Sequence, residues 1–299
     1  MIRIANAPCS WGVLEFESKA DTPTYARVLD EIGDSGYAGT ELGDWGFMPT
    51  DPIRLRDEVD RRGLALLGAF VTIRLADPGT YDVSASRAVA TARLLAAVSG
   101  TSPLIVSSDE PAADVVRARH AGRIQPSEAL SDAQWTVAAS GVERLARAVR
   151  DETGLRTVFH HHCGAFVETA PEIDALMRRT DESLVGLCLD TGHITYAGGS
   201  PLELLRRYAA RIWHVHFKDC EPAVAARARL EGWDYQAAVR HGVFCELGRG
   251  DVDFPGLLEG LRDRGYAGWI VVEQDVLPSM GSPFESARRN RQYLRSLGV

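Results

Sequence analysis

The stretches VGLCLDTGHITYAGGS (185–200) and RIWHVHFKD (211–219) decide how this chain is read. Each holds an apolar run that ends in groups able to bind a divalent cation. Asp190 and His193 close the first, while His214, His216 and Lys218 alternate along the second. Alternation puts those three on one face of a strand and Trp213, Val215 and Phe217 on the other. Two imidazoles and an ammonium are costly in an apolar interior without partners. Their expected place is the mouth of a cavity.

The same pattern continues in both directions. Strands are expected at 2–7, 39–43, 64–72, 103–107, 155–160, 184–189, 212–217 and 269–273. Helices are expected at 22–35, 52–62, 84–99, 131–152, 171–179, 201–209, 254–264 and 286–297. Asp21 or Thr22 is the expected cap of the first helix, with Pro23 early in it. The polar stretch 109–126, broken by Pro and Gly, reads as a long loop. Eight strand–helix units predict an α/β fold, a single (β/α)₈ TIM barrel over residues 1–299. No glycine-rich dinucleotide fingerprint follows the first strand, which argues against a doubly wound sheet. The segment 221–249 is too long for a simple connection and is expected to cover the active face or to meet a second copy of the chain.

Composition narrows the class. Of 299 residues, 45% are apolar and 25% charged, which suits a soluble protein with a large core. The net charge of −8 argues against nucleic acid or an anionic membrane as partner. The five cysteines are scattered without a CxxC pair, so reduced thiols in a cytoplasmic protein are expected. No apolar run reaches membrane-spanning length, and the start MIRIANAPCSWG has no signal-peptide core.

In such a barrel the functional groups gather at the C-terminal ends of the strands. Those ends hold Glu41, His160 with His162, Asp190 with His193, His216 with Lys218, and Glu273. Singly, each has a structural reading: Glu41 could be a surface loop carboxylate, and a lone histidine is usually a hydrogen-bonded structural group. Five strand ends supplying such groups to one rim do not fit that reading, and a metal site does. An oxygen and nitrogen ligand set without cysteine suits Mn²⁺, Co²⁺, Fe²⁺, Mg²⁺ or Zn²⁺. In the run 160–162, alternation gives His160 and His162 to the site and leaves His161 as a structural neighbour. Glu168 reads equally as a cap, a loop group or a site group. Cys163 and Cys188 read as small buried apolar residues. The stretch ELGRGDVDF (246–254) could offer backbone N–H groups to an anion.

The series APCSWG, YAGTELGDWGF, VFHHHCGAFVET, LCLDTGHITYAGG, IWHVHFKD, GDVDFPGL, GWIVVEQD and ESARRNRQYLRSLG resembles the xylose-isomerase-like barrels, and within them the inosose dehydratase type. The resemblance runs through nearly the whole chain. It implies one divalent metal, Mn²⁺ or Co²⁺ first, held by Asp190, His216 and Glu273. The fifth-strand ligand is a glutamate in epimerases of this group; here His160 takes its place, with His162 as the rival. The resemblance also makes His193 a substrate contact and Glu41 a rim carboxylate. Trp11, His162 and Arg249 are further expected substrate contacts, Arg249 standing where relatives carry an acid.

The activity implied is that of a metal-dependent lyase or isomerase acting on a keto-polyol or keto-sugar through an enediolate. Loss of a β-hydroxyl gives dehydration, and reprotonation gives isomerisation or epimerisation. Glu41 or His193 is the expected base, Lys218 the expected partner of the enediolate charge, and His193, His162 or Lys218 the acid. A ketose 3-epimerase is the alternative within the fold. An endonuclease IV-like enzyme would need more metal ligands and a basic face, and a non-catalytic sugar-binding barrel would need neither base nor acid. The expected partner is a small unphosphorylated sugar or polyol, with a homo-oligomer as the expected assembly.

Overall fold

The computed structural model describes residues 2–13, 23–100, 102–277 and 280–299. Its strands form where short runs of Val, Ile, Leu and Ala are buried on both faces, as a parallel sheet under helices requires. They are β1 (Arg3–Asn6), β2 (Gly39–Thr40), β3 in two pieces (Ala65–Leu66 and Gly68–Ile73), β4 (Leu104–Asp109), β5 (Arg156–His160), β6 (Val185–Asp190), β7 (Ile212–Phe217) and β8 (Trp269–Val272). All pair in parallel in chain order, and β8 returns to β1 with Arg3 opposite Trp269.

The ring closes through the interruption in β3. Ala65 and Leu66 pair with β2, whereas Gly68 to Ile73 pair with β4. At the seam the Leu67 N–H donates to Thr40 O at 3.0 Å and its carbonyl accepts from Leu104 N–H at 3.0 Å. The expected (β/α)₈ barrel is therefore present, its third strand shared between two partners.

The helices around it are α1 (Tyr25–Asp34), α2 (Pro52–Asp60), α3 (Tyr81–Val98), α4 (Val115–Arg119), α5 (Asp132–Thr153), α6 (Ala170–Met177), α7 (Thr191–Tyr196), α8 (Pro201–Tyr208), α9 (Pro222–Glu231), α10 (Tyr235–Arg240), α11 (Phe254–Asp263) and α12 (Pro283–Ser296). The cap of α1 is Thr24, which accepts from Arg27 N–H; Asp21 and Thr22 lie outside the described residues. The expected loop 109–126 contains α4, started by Asp114, whose carboxylate accepts from the N–H groups of Val116 and Arg117.

The excursion after β7 folds into α9, α10 and an antiparallel ribbon joining Asp219–Cys220 to Phe244–Cys245. A separate apolar cluster holds it down, with Tyr235, Val239 and Phe244 packed on Cys163, Tyr196 and Cys220. Its Tyr235 borders the pocket at the top of the barrel. Among the described residues no helix is long and apolar enough to cross a membrane.

Candidate active site

Four side chains meet at the top of the barrel. His160 ends β5, Asp190 ends β6, His216 stands in β7, and Glu273 follows β8. Register makes the meeting: Asp190 lies opposite His216, and His216 opposite Val271, two residues before Glu273. One donor atom from each of the four lies within 4.8 Å of the others.

The carboxylate of Asp190 is divided between two tasks. Its Oδ1 accepts the His193 N–H at 2.8 Å and starts α7, while Oδ2 lies 3.3 Å from His160 Nε2 and 3.7 Å from His216 Nδ1. His161 stands aside, its Nε2 accepting the Asp190 backbone N–H at 3.2 Å. That is the structural role its place in the alternation predicts.

Glu41 settles the tautomer of His216. One oxygen accepts from His214 Nε2–H at 2.6 Å and from His216 Nε2–H at 3.1 Å. Burial opposes ionisation of Glu41, but His216 and His214 outweigh it and hold the carboxyl at about 2. With Nε2 donating to Glu41, Nδ1 is the nitrogen of His216 that faces the site. It is buried without a hydrogen-bond partner, 3.4 Å from Glu273 Oε1 and 3.7 Å from Asp190 Oδ2. Burial would lower the pKa of this ring, but the surrounding acids raise it well above the ordinary value. The spot between one imidazole nitrogen and two carboxylates thus calls for positive charge, and the residues present fit a divalent metal in place of the proton.

Other groupings of possible ligands are less suitable. Cys188 also lies near His160 and His216, but burial pushes its thiol up to about 12, so it stays protonated. Cys9, Glu273 and Asp275 already enclose a cation of the protein's own: Lys218 Nζ sits 3.1 Å from Glu273 Oε2 and 3.1 Å from Asp275 Oδ1.

Lys218 is buried, and its stem crosses Gly192. A Cβ at that glycine would come within 2.5 Å of Lys218 Cγ. Burial would lower its pKa, but Asp275, Glu273 and Asp190 hold it well above the ordinary value. Its ammonium also lies 3.2 Å from His193 Nε2, while the Cys163 N–H faces His193 Nδ1 at 3.3 Å. His162 is oriented differently. Its Nδ1–H donates to Cys163 O at 2.7 Å, which leaves Nε2 as an acceptor; burial keeps the ring neutral, with its pKa lowered to about 3. Tyr235 of α10 completes the group, its hydroxyl donating to Asp275 Oδ2 at 2.9 Å.

These residues line a pocket of about 630 Å³, its open mouth included, with Ala7, Pro8, Cys9, Val13 and Phe70 as its apolar part. Of the residues singled out in the sequence, Glu41, His160, His162, His193, His216, Lys218 and Glu273 border it, and Asp190 lies beneath.

Two expected substrate contacts are not brought in. Trp11 is buried in the barrel core and donates its indole N–H to Glu31 on α1 at 2.7 Å. Arg249 points to solvent and pairs with Glu246 at 3.2 Å. The backbone amides around Arg249 do cradle an anion, but it is the chain's own Asp219, which accepts from Gly248, Gly250 and Val252 N–H at 2.8, 2.9 and 3.1 Å.

Sequence reasoning missed Tyr235 and Asp275. Asp275 had a signal, since it follows Glu273 by two residues; Tyr235 had none, because only docking of the excursion brings it to the rim.

Behind the pocket the loops after β4 and β5 are tied by buried charges. Glu168 accepts from Gly164 and Gly122 N–H, both at 2.7 Å, and Asp109 from Leu75 and Phe166 N–H, both at 2.8 Å. Arg117 binds Ala165 O and Glu172 in the same layer. Burial dominates both carboxyls and raises Asp109 to about 6 and Glu168 to about 7. Glu168 is thus a loop fastening, neither a cap nor a pocket group.

A family profile described as "Xylose isomerase-like TIM barrel" matches residues 29–297. The chain is 34% identical to the inosose dehydratase of Geobacillus kaustophilus, over 99% of this chain and 94% of that one. It is 30% identical to the inosose dehydratase of Clostridium botulinum, over 98% of this chain and 96% of that one. Among solved structures it resembles the IOLI protein with a bound zinc atom, with a TM-score of 0.72 at 13% identity over 99% of this chain and 98% of that one.

Proposed function

The chain belongs to the xylose isomerase-like TIM barrel family, and on that premise we propose that it is a metal-dependent hydro-lyase removing water from an inosose or a closely related keto-polyol. The observation that carries this reading is the buried, unpartnered Nδ1 of His216 facing Asp190 and Glu273, beside a neutral imidazole and an ammonium at one pocket. Full-length similarity to inosose dehydratases supports the choice of reaction.

His160, Asp190, His216 and Glu273 are the proposed ligands, with Mn²⁺ or Co²⁺ as the proposed ion; two imidazoles and two carboxylates equally admit zinc. A bound divalent ion would polarise the ketone oxygen and make the neighbouring C–H acidic. The other steps belong to side chains. His162 Nε2, neutral and unprotonated, is placed to take the α-proton. Lys218 holds positive charge where the enediolate oxygen develops negative charge. Glu41, whose one oxygen is tied to both His214 and His216, serves to orient His216.

Charge also bears on the substrate. Among the described lining residues Lys218 is the one lysine or arginine, and its ammonium is already shared by Glu273 and Asp275. A phosphate would meet Glu41, Asp44, Glu273 and Asp275 without a free positive partner. The substrate is an uncharged keto-polyol.

The test is product analysis by NMR in D₂O with a panel of inososes and ketoses, alongside metal analysis. Conversion of an inosose to a deoxy-diketone is expected. His160→Ala is expected to lose the ion and His162→Ala to keep it while losing turnover. Full activity in a demonstrably metal-free sample, or solvent deuterium at the α-carbon with no loss of water from any inosose, would overturn the reading.

A further inference from the structure

Dehydration needs a proton for the hydroxyl that leaves, and the geometry eliminates three donors in turn. Lys218 has three N–H bonds and three acceptors, Glu273, Asp275 and His193, at 3.1 to 3.2 Å. Both ring nitrogens of His193 are taken up by protein contacts, Nδ1 facing Cys163 N at 3.3 Å and Nε2 facing Lys218 Nζ at 3.2 Å, so the one N–H of the ring is not turned toward the substrate. His162 directs its one N–H at Cys163 O.

Tyr235 remains. It opens α10, and the loop after β5 presses against it: a Cβ at Gly164 would come within 3.2 Å of Tyr235 Cβ. Its hydroxyl lies on the pocket wall, 2.9 Å from Asp275 Oδ2 and 3.5 Å from His162 Nε2.

We propose that Tyr235 is a catalytic residue that protonates the departing hydroxyl, and that Asp275 is the positioning residue that holds it there. Asp275 suits that role because its carboxylate binds both the Tyr235 hydroxyl and the Lys218 ammonium. A phenol O–H turns about its own C–O bond, so a substrate hydroxyl entering beside it becomes an alternative acceptor to Asp275.

The steps balance. The α C–H bond breaks, its proton passes to His162 Nε2, and its electron pair forms the C=C bond of the enediolate as the carbonyl π pair moves onto oxygen. The oxygen pair then re-forms the carbonyl, and the enediolate C=C pair shifts to form the new C=C bond as the β C–O bond breaks. The oxygen leaves with the Tyr235 proton as water, and the phenolate recovers a proton from His162 Nε2–H. Substrate yields water and an α-hydroxy-enone, the enol form of the deoxy-diketone, and every side chain is restored.

The proposal rests on the dehydration reading, and one experiment separates the two. Wild type and Tyr235→Phe are incubated in D₂O with an inosose and with its analogue bearing fluorine in place of the departing hydroxyl. Fluoride leaves without a proton. In Tyr235→Phe, loss of water is expected to fall at least ~10²-fold, the low end of general-acid effects. α-Deuterium exchange, fluoride release and metal content are expected to match wild type. Asp275→Asn is expected to lower water loss as well, and to lower exchange and fluoride release to a smaller degree, because Asp275 also holds the Lys218 ammonium. Near-wild-type loss of water by Tyr235→Phe would overturn the proposal alone, as would an equal fall in water loss, exchange and fluoride release. A wild-type protein that neither exchanges nor dehydrates any inosose would overturn the dehydratase reading, and this assignment with it.

Discussion

Two sets of buried carboxylates divide this molecule. Asp190, Glu273 and Glu41 face imidazoles and an ammonium across the pocket. Asp109, Glu168 and Asp219 face backbone N–H groups inside loops. Burial works against ionisation in both sets. In the first, imidazole and ammonium neighbours outweigh it: His193 and Lys218 hold Asp190 well below the usual range, and His216 and Lys218 do the same for Glu273. In the second, burial exceeds what amide hydrogen bonds return, and all three carboxyls are raised. The donor type, not the depth, separates a carboxylate poised for chemistry from one that fastens the chain. Asp275 belongs to the pocket yet is raised by burial, and it is the member that binds a neutral phenol as well as an ammonium.

The sharpest test of that division exchanges one member of each set. Asp190→Asn keeps an oxygen to accept the His193 N–H and so preserves the start of α7. Metal analysis is expected to find the ion lost and turnover abolished, with the melting temperature in metal-free buffer almost unchanged. A variant that retains the ion would place Asp190 with the fastening set.

Asp219→Ala is the converse. It strips the acceptor from the Gly248, Gly250 and Val252 N–H groups and from Cys220 N–H at 2.9 Å. Denaturant unfolding is expected to show a loss of about 3 kcal/mol, the scale of stranding buried donors. The protein that remains folded is expected to bind its ion normally. Loss of the ion without loss of stability would break the comparison.

The smallest effect is a pH dependence. Glu168 stands at about 7 in the folded chain against an ordinary 4.5, so the fold favours its protonated form. Its contribution to stability is full below pH 4.5, declines as pH rises, and is gone above pH 7. The buried imidazoles of His161 and His162, lowered to about 3, oppose it: their contribution is present above pH 6.5 and declines as pH falls. The difference between wild type and Glu168→Gln isolates the carboxyl. Between pH 4.5 and 7 the gap is expected to move in favour of the variant by on the order of 1 kcal/mol per pH unit. A gap that stays constant with pH would show Glu168 to be ionised throughout.

How much of this could be read beforehand follows from the range of each interaction. Strand ends are local, so VGLCLD, HVHFK and VVEQD announced Asp190, His216, Lys218 and Glu273 without a structure. The choice of His160 over His162 needed strand geometry, which sets one nitrogen against Asp190 and turns the other ring toward Cys163 O. The six-residue α7 was hidden because its cap, Asp190, reads as a ligand rather than as a helix start. Trp11 and Arg249 misled for opposite reasons: a polar indole edge satisfied by Glu31, and a cation near an anion cradle that Asp219 already fills. Tyr235 depended on the packing of an entire excursion.

The glycine under Lys218 has a wider meaning. Position 192 and position 218 are separated by a strand and a helix, yet a single cross-section of space must serve both. A side chain at 192 is incompatible with a long stem at 218 in this arrangement. The two sites therefore form one choice, and change at either is bounded by the other, because the Cβ and Cγ of the residue at 218 already fill the space a side chain at 192 would need. Anyone remodelling this pocket for a different substrate inherits that pairing and must redesign both positions together.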